Sequence, residues 1–169
     1  MAGPGATRPH MPGYGVLGPD QGTGLLAWHE VAARFAASHD YWVASTWPDG
    51  RPHVMPVWGT WDGSAFWFSS GGRSRKVRNL RRDPRCVVTA DDARDPVVVE
   101  GVADVVQDTA VIEAFLAGLN AKYATTYELD FLDPALNATV RVRPRSAFAL
   151  LQRDFAGSPT RWTFPEDPR

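Results

Sequence analysis

The distribution of apolar and polar residues along this chain predicts short strands separated by turns, with a few helical stretches between them. Runs rich in Val, Trp, Thr and Phe and bounded by Gly, Pro, Asp or Ser are typical of β-strands. The pattern predicts six or seven strands, among them residues 41–46, 52–60, 65–70, 85–90, 97–106 and 139–151. Helical spacing of apolar residues predicts helices over residues 25–38 and from Asp108 or Thr109 to Tyr123. A short basic helix follows Gly71-Gly72, over Arg73 to Leu80, and is ended by Asp83-Pro84.

Three features define how the predicted strands connect. Pro52 and Pro56 cannot donate to a strand ladder, so their strand is expected at a sheet edge or with an irregularity. Asp62-Gly63 between apolar runs predicts a tight turn. Gly101, inside the longest predicted strand, predicts a bulge or a close backbone approach. Together these elements predict a mainly β fold, an antiparallel barrel with helices at its ends.

The length of 169 residues is that of a single domain. Residues 1–24 contain eleven Gly or Pro and almost no periodicity, which predicts a flexible N-terminal tail. The folded domain is expected over residues 25–152, and residues 153–169 are expected to form a mostly polar C-terminal tail.

Composition narrows the class of protein but not its function. Hydrophobic residues make up 44% of the chain and charged residues 22%, as in ordinary soluble domains. No apolar run approaches the roughly 20 residues that span a bilayer, and no signal peptide is recognisable, so a cytoplasmic location is expected. Cys86 is the single cysteine and lies in an apolar strand, which predicts a buried thiol.

The stretch of residues 69–79 has the composition of an anion site. Ser69 and Ser70 end a strand, two glycines follow, and a helix then begins. Glycines let the backbone approach a ligand, and a helix start presents unpaired N–H groups and the positive end of its dipole. Ser74 can donate a hydroxyl, while Arg75 and Lys76 supply charge-assisted hydrogen bonds.

Basic charge is concentrated in the same region. Residues 73–85 carry seven basic side chains and one acidic one, a net +6 in a chain of net charge −1. The alternative to a ligand site is a solvated helix face, which is the interpretation for Arg78, Arg81 and Arg82. A basic stripe is also the footprint of nucleic-acid binding. A pI near 6.4 and confinement to one short helix argue against that partner.

The pattern DGRPHVMPVWGTWDGSAFWFSS, followed by SRKVRNLRRDPRCVV and DPVVVEGVADVV, resembles the pyridoxamine 5′-phosphate oxidase-like family. The resemblance is clear over residues 42–106 and continues weakly to about residue 150. Members of that family are split β-barrels that bind a flavin or a deazaflavin between two subunits. The resemblance therefore implies a split β-barrel fold and a homodimer.

The resemblance also implies where a cofactor would lie. In the family, one strand runs along the flavin ring, and the end of the next strand and the following turn hold the phosphate. The implied ring contacts are His53, Val54, Met55, Pro56, Val57 and Trp58. The implied contacts around the phosphate are Phe68, Ser69, Ser70, Ser74, Arg75, Lys76 and Asn79. Arg161 and Trp162 are candidates to reach the partner's cofactor, with simple packing of the tail as the alternative.

The function that this resemblance implies is an F420- or FMN-dependent oxidoreductase that transfers hydride to or from a small organic substrate. F420 is preferred, because the additional arginines of residues 73–85 would suit its acidic oligoglutamate tail. No triad motif and no metal-ligand spacing is present, so no metal is expected and no residue is assigned a catalytic role. His53 is a candidate proton donor, although a structural or cofactor contact is favoured. The alternative function is a non-catalytic carrier of flavin, F420 or haem on the same fold.

Overall fold

The computed structural model describes residues 3–165, which form nine β-strands and three α-helices. The strands are β1 (Gly5–Thr7), β2 (Tyr41–Thr46), β3 (Pro52–Val57), β4 (Thr60–Trp61), β5 (Phe66–Gly71), β6 (Arg85–Ala90), β7 (Val97–Val106), β8 (Asn137–Ala149) and β9 (Thr160–Thr163). The helices are α1 (Trp28–Ala37), α2 (Arg75–Arg82) and α3 (Thr109–Tyr123).

The strands form one antiparallel sheet that divides at β8. The main path runs β1-β9-β8-β7-β6-β2-β3. The first half of β8 pairs with β5, which carries β4, whereas its last residues pair with β9. Strands β3 and β4 follow one another in the chain, yet no strand pairing joins them within residues 3–165. The sheet therefore curls without closing, and the predicted split β-barrel is confirmed.

Several strand predictions are confirmed and two are wrong. Strand β7 has the predicted bounds, and β3 lies at the sheet edge as its prolines predict. The sheet has nine strands rather than six or seven, because β1, β4 and β9 contain only two to four residues each and show no alternation. The longest strand is β8, with 13 residues against 10 in β7.

The register shift in β7 lies where the sequence predicts it. Pairing between β7 and β8 slips between Glu100 and Gly101. A Cβ atom on Gly101 would lie 2.5 Å from the carbonyl oxygen of Arg143 and 2.7 Å from Cγ1 of Val142. Glycine is required here because the neighbouring backbone passes too close for any side chain.

Apolar side chains form two clusters on the two faces of β5. Because successive strand residues alternate in direction, Phe66 and Phe68 enter the barrel core together with Phe35. Trp67 enters the second cluster, where it packs with Phe115 of α3. α3 is thus fixed to the outside of β5, while α2 lies over β2 and β3.

Two short strands near the ends of the described residues join the sheet, within the segments that the sequence predicted to be tails. Strand β1 pairs with β9, although their residues lie in the segments predicted as flexible and polar tails. Arg8 fixes the N-terminal segment by donating to the carbonyl oxygens of Gly157 and Pro159, each at 2.6 Å. These long-range bonds leave no periodic signal in the sequence.

Both α2 and α3 begin with a side-chain cap. Ser74 Oγ accepts from the backbone N–H of Val77, and Asp108 Oδ1 accepts from those of Ala110 and Val111. Of the two residues that the sequence left open as the start of α3, Asp108 and Thr109, the cap is Asp108. Within residues 3–165, no helix combines the length and the apolar character needed to cross a membrane.

The Asp108 cap has a measurable effect on stability. We expect Asp108→Ala to lower the free energy of unfolding by about 1 kcal/mol, because two N–H groups at the start of α3 lose their acceptor. Urea unfolding followed by circular dichroism measures the change. Asp108→Asn keeps the acceptor and is the control; equal losses in both variants would contradict the capping role.

Candidate functional site

A polar cluster lies where β5 ends and α2 begins. Strand β5 ends at Gly71, whose carbonyl oxygen accepts from the N–H of Ser74 at 2.8 Å, so that the turn brings two serines together. Ser70 Oγ lies 3.1 Å from Ser74 Oγ, and Lys76 Nζ donates to Ser70 Oγ at 3.0 Å. Three of the predicted phosphate contacts, Ser70, Ser74 and Lys76, therefore meet at the positive end of a helix.

No acidic side chain among residues 3–165 forms a salt bridge with the two basic residues of this cluster. Lys76 and Arg75 are half-buried, and neither forms a salt bridge with a described residue. Burial lowers the pKa of the Lys76 ammonium. The Nε atom of Arg75 is buried without a hydrogen-bond partner, and its guanidinium carbon lies 3.9 Å from the ring centroid of Trp47. An anion would supply both the missing acceptor and the missing counter-charge.

His53 of β3 faces the same cluster. Its Nδ1 atom is buried without a hydrogen-bond partner, and its ring lies 6.0 Å from that of Trp47. Burial, followed by repulsion from Lys76 and Arg75, lowers the pKa of the His53 imidazole below 6.5. His53 is therefore neutral near pH 7, and its buried Nδ1 lacks a hydrogen-bond partner among the described residues.

Asn79 lies behind this cluster rather than at its surface. Its side chain is 1% exposed, and Nδ2 donates to Ser45 Oγ of β2 at 3.2 Å. Oδ1 is buried without a partner. Asn79 thus joins α2 to β2, and in this orientation it offers an acceptor, not a donor, to its surroundings.

The remaining predicted ring contacts on β3 form an exposed apolar surface. Val54, Met55 and Trp58 are 49%, 44% and 41% exposed, and Pro56 is exposed beside them. The Trp58 ring stacks on Tyr123 of α3, with centroids 4.3 Å apart and planes 6° from parallel. Because side chains alternate along a strand, Met55 shares the face of His53, whereas Val54 and Pro56 lie on the opposite face of β3.

Three predicted contacts have side chains that lie away from the cluster. Val57 and Phe68 are buried in the barrel core, at 8% and 0% exposure, although alternation places them on the same strand faces as His53 and Ser70. Ser69 shares its face of β5 with Trp67 and therefore points away from Ser70.

The two C-terminal candidates, Arg161 and Trp162, lie in different surroundings. Trp162 is 1% exposed and packs against Trp28, with ring centroids 5.4 Å apart, so for this residue the packing alternative is the correct one. Arg161 lies on β9, 3.9 Å from a carboxylate oxygen of Glu100.

Trp47 is a residue of the site that sequence reasoning missed. It lies in the turn between β2 and β3, where the guanidinium carbons of Arg51 and Arg75 lie 4.7 and 3.9 Å from its ring centroid. Cation–π contacts of this kind hold an arginine in one orientation. Arg51 is only four positions from Trp47 in the sequence, which gave a weak signal for this contact. Arg75 is 28 positions from Trp47, and the sequence gave no signal for that contact.

The fold described above belongs to the class of open, split β-barrels. Residues 27–153 match the family described as pyridoxamine 5′-phosphate oxidase, which is well over half of the chain. The chain therefore belongs to the pyridoxamine 5′-phosphate oxidase family. No curated protein is significantly similar to it.

Solved structures have the same fold. A conserved hypothetical protein from Mycobacterium tuberculosis is 24% identical, with a TM-score of 0.68 over 85% of this chain and 92% of the other. An F420 reductase is 27% identical, with a TM-score of 0.56 over 68% of this chain and 93% of the reductase chain. The haem storage protein HutZ from Vibrio cholerae is 17% identical, with a TM-score of 0.61 over 72% of this chain and 92% of the HutZ chain.

Proposed function

We propose that this protein binds a phosphate-bearing flavin-type cofactor, F420 or FMN, and acts as an oxidoreductase. The observation that carries the proposal is the uncompensated positive charge of Arg75 and Lys76 beside the exposed strand β3. Membership of the pyridoxamine 5′-phosphate oxidase family and likeness to an F420 reductase support the same class of ligand.

The side chains at the start of α2 fit a phosphate group. Ser70, Ser74 and Lys76 offer donors within about 3 Å of one another, and Arg75 has a buried nitrogen without an acceptor. We therefore assign these four residues to the phosphate. Hydrogen bonds from charged donors such as Lys76 and Arg75 to a phosphate are among the stronger hydrogen bonds in proteins.

The ring of the cofactor would lie along β3. Met55, which shares the face of β3 with His53, presents an exposed apolar side chain that would exclude water from one side of a planar ring. When bound, the cofactor supplies the hydride chemistry, and the protein supplies position and electrostatics. The imidazole of His53, neutral near pH 7, would accept a hydrogen bond from the cofactor through Nδ1.

F420 is the preferred cofactor because basic side chains extend beyond the phosphate cluster. Arg73 and Arg78 are exposed on or beside α2, and neither has a salt bridge in the described part of the chain. An acidic oligoglutamate tail would be attracted to them. FMN requires only the phosphate contacts.

A homodimer is part of the proposal. The outer face of β2 and β3 exposes Trp42, Val54 and Pro56 side by side, with Trp42 45% exposed and paired with Pro56 in register. Apolar sheet faces of this kind are typical of interfaces. Sedimentation equilibrium should give twice the chain mass, and Trp42→Lys should shift it towards the monomer.

The first experiment is a titration of purified protein with FMN and with F420, followed by absorbance and fluorescence. We expect micromolar or tighter binding, F420 ahead of FMN, and a loss of at least about tenfold in Lys76→Ala, which is about 1.4 kcal/mol. Hydride transfer is then tested by oxidation of the reduced cofactor with a panel of enones and quinones. Binding of neither cofactor would exclude the proposal.

The second candidate is a non-catalytic carrier on the same fold, for which His53 is the favouring observation. A neutral imidazole with a free nitrogen is the form that ligates haem iron. A haem titration with a Soret shift that His53→Ala removes would favour this candidate. Sustained turnover of a reduced cofactor would favour the oxidoreductase.

A further inference from the structure

The guanidinium group of Arg75 is held by an aromatic ring and not by an acid. Arg75 is half-buried at the first position of α2. Among residues 3–165 it forms no salt bridge, and its Nε atom is buried without a hydrogen-bond partner. Its guanidinium carbon lies over the ring of Trp47, 3.9 Å from the centroid. The orientation of this charged group therefore depends on Trp47.

The ring of Trp47 is a fixed surface, because the backbone of this residue is bonded on both sides. The N–H of Trp47 donates to the carbonyl oxygen of Arg51 at 2.9 Å. The carbonyl oxygen of Trp47 accepts from the N–H of Gly50 at 3.0 Å and from Nη2 of Arg82 at 2.8 Å. The turn between β2 and β3 is thus closed by its own hydrogen bonds and joined to α2.

One face of α2 makes the contacts with this turn and with the strand before it. Arg75, Asn79 and Arg82 follow one another at intervals of four and three positions, so they lie on the same side of the helix. Asn79 adds a bond from Nδ2 to Ser45 Oγ, at 3.2 Å. Because α2 meets the end of β2 and the turn at three points, the position of the Trp47 ring relative to the start of α2 is set by the fold.

An arginine held in this way is prepared to bind an anion. The face of a tryptophan ring attracts a cation, and the attraction is stronger where water is partly excluded. A side chain that is already ordered loses less conformational freedom when a ligand binds. Arg75 is adjacent in the chain to Ser74 and Lys76, which meet Ser70 at the start of α2. Trp47 therefore keeps a planar, charged donor group beside that cluster.

We propose that Trp47 is a positioning residue for the phosphate group of the cofactor. By holding Arg75, it determines how strongly the site prefers a phosphorylated flavin or deazaflavin to the same ring system without phosphate. Trp47 acts through Arg75 and not by contact with the phosphate. The inference rests on the proposed function, since it assigns a role within the same site.

FMN and riboflavin measure this preference, because they differ only in the phosphate group. Quenching of flavin fluorescence gives both dissociation constants, and their ratio is the phosphate preference. We expect the wild-type protein to bind FMN at least about a hundredfold more tightly than riboflavin, because two charged donors act on the phosphate. F420 and the phosphate-free deazaflavin FO give the corresponding ratio for the deazaflavin.

Trp47→Leu removes the aromatic face and keeps an apolar side chain in the turn. We expect it to lower the phosphate preference at least about fivefold, which is the size of a cation–π contact at a partly buried site. Riboflavin binding should stay within about twofold of that of the wild type. Trp47→Phe keeps an aromatic face and should retain the preference within about twofold. A merely structural role of Trp47 would weaken the binding of both flavins equally.

Arg51 provides a matched control. Its guanidinium carbon also lies over the ring of Trp47, at 4.7 Å, but the side chain is exposed and paired with Asp49. Arg51→Met should therefore leave the phosphate preference within about twofold of the wild-type value.

A double-mutant cycle tests whether Trp47 acts through Arg75. Arg75→Lys keeps the positive charge but loses the planar group that packs on the ring. We expect it to lower the phosphate preference at least as much as Trp47→Leu does. Adding Trp47→Leu to Arg75→Lys should then change the preference by less than about twofold, because the contact is already lost.

The outcomes distinguish this inference from the proposed function. Wild-type protein that binds neither cofactor, or that shows no phosphate preference, would overturn both. A wild-type preference that Trp47→Leu changes by less than twofold, equal weakening of both flavins, or losses that add in full in the double mutant would overturn only the role of Trp47. If thermal unfolding shows that Trp47→Leu is not folded, Arg75→Lys decides, and an undiminished preference in that variant would overturn the inference.

Discussion

Replacing Gly59 by alanine is expected to lower the free energy of unfolding by about 3 kcal/mol. A Cβ atom at this position would overlap the ring of Phe66 and lie 2.6 Å from the carbonyl oxygen of Trp67. Phe66 is completely buried among other aromatic rings, so it cannot move aside without disturbing the core.

The backbone of Gly59 cannot withdraw from this contact either. Its N–H donates to Tyr123 Oη at 2.8 Å, and its carbonyl oxygen accepts from Lys122 Nζ at 2.9 Å. The end of α3 therefore fixes the chain where β3 leads into β4. Because Trp58 stacks on Tyr123, the same contacts hold the exposed tryptophan beside the proposed cofactor ring.

A second glycine provides the matched control for Gly59. Gly118→Ala makes the same chemical change inside α3, where the new Cβ would meet only Cγ2 of Thr60 at 4.0 Å. We expect this variant to gain about 0.5–1 kcal/mol, because alanine is the better helix former. Urea unfolding followed by tryptophan fluorescence compares the two variants. A loss below 1 kcal/mol in Gly59→Ala would contradict the predicted overlap.

The sequence predicted most of the sheet because strands carry a local signal. Residues 97–106 are rich in valine, which favours a strand, and Gly101 interrupts them at the register shift. Strands β1 and β9 were missed because a strand of three or four residues, held by a distant partner, has too few positions for alternation to emerge. Their stability comes from long-range bonds such as those of Arg8.

The cluster of Ser70, Ser74 and Lys76 was predictable because its residues are close together in the sequence. Ser70, Ser74 and Lys76 lie within seven residues, so one turn brings them together whatever the rest of the fold does. The contacts of Trp47 with Arg75, and of Lys122 with Gly59, depend on how distant elements pack. Sequence periodicity alone gives no such information.

Two predicted contacts, Val57 and Phe68, have side chains that are buried in the barrel core. Alternation along a strand places Val57 on the same face as His53, and Phe68 on the same face as Ser70. The period of two therefore could not have separated them from the other candidate contacts. Their burial depends on how distant elements pack, which sequence periodicity does not show.

Reversing the charge of Lys76 is expected to weaken cofactor binding by at least about a hundredfold, which is about 2.7 kcal/mol. Lys76→Glu removes a charge-assisted donor next to Ser70 and places a carboxylate where the proposed phosphate lies. Because the site is half-buried, salt screens this repulsion only in part.

Arg78→Glu is the control that distinguishes loss of the Lys76 contact from a general loss of positive charge on α2. It produces the same change in net charge on α2, but at an exposed position on the solvent side. We expect FMN affinity to fall by less than about threefold in this variant, since exposed charges act weakly through water. F420 affinity should fall further than FMN affinity, because its acidic tail would lose an arginine. Equal losses of FMN binding in Lys76→Glu and Arg78→Glu would mean that net charge, and not the cluster at the start of α2, attracts the cofactor.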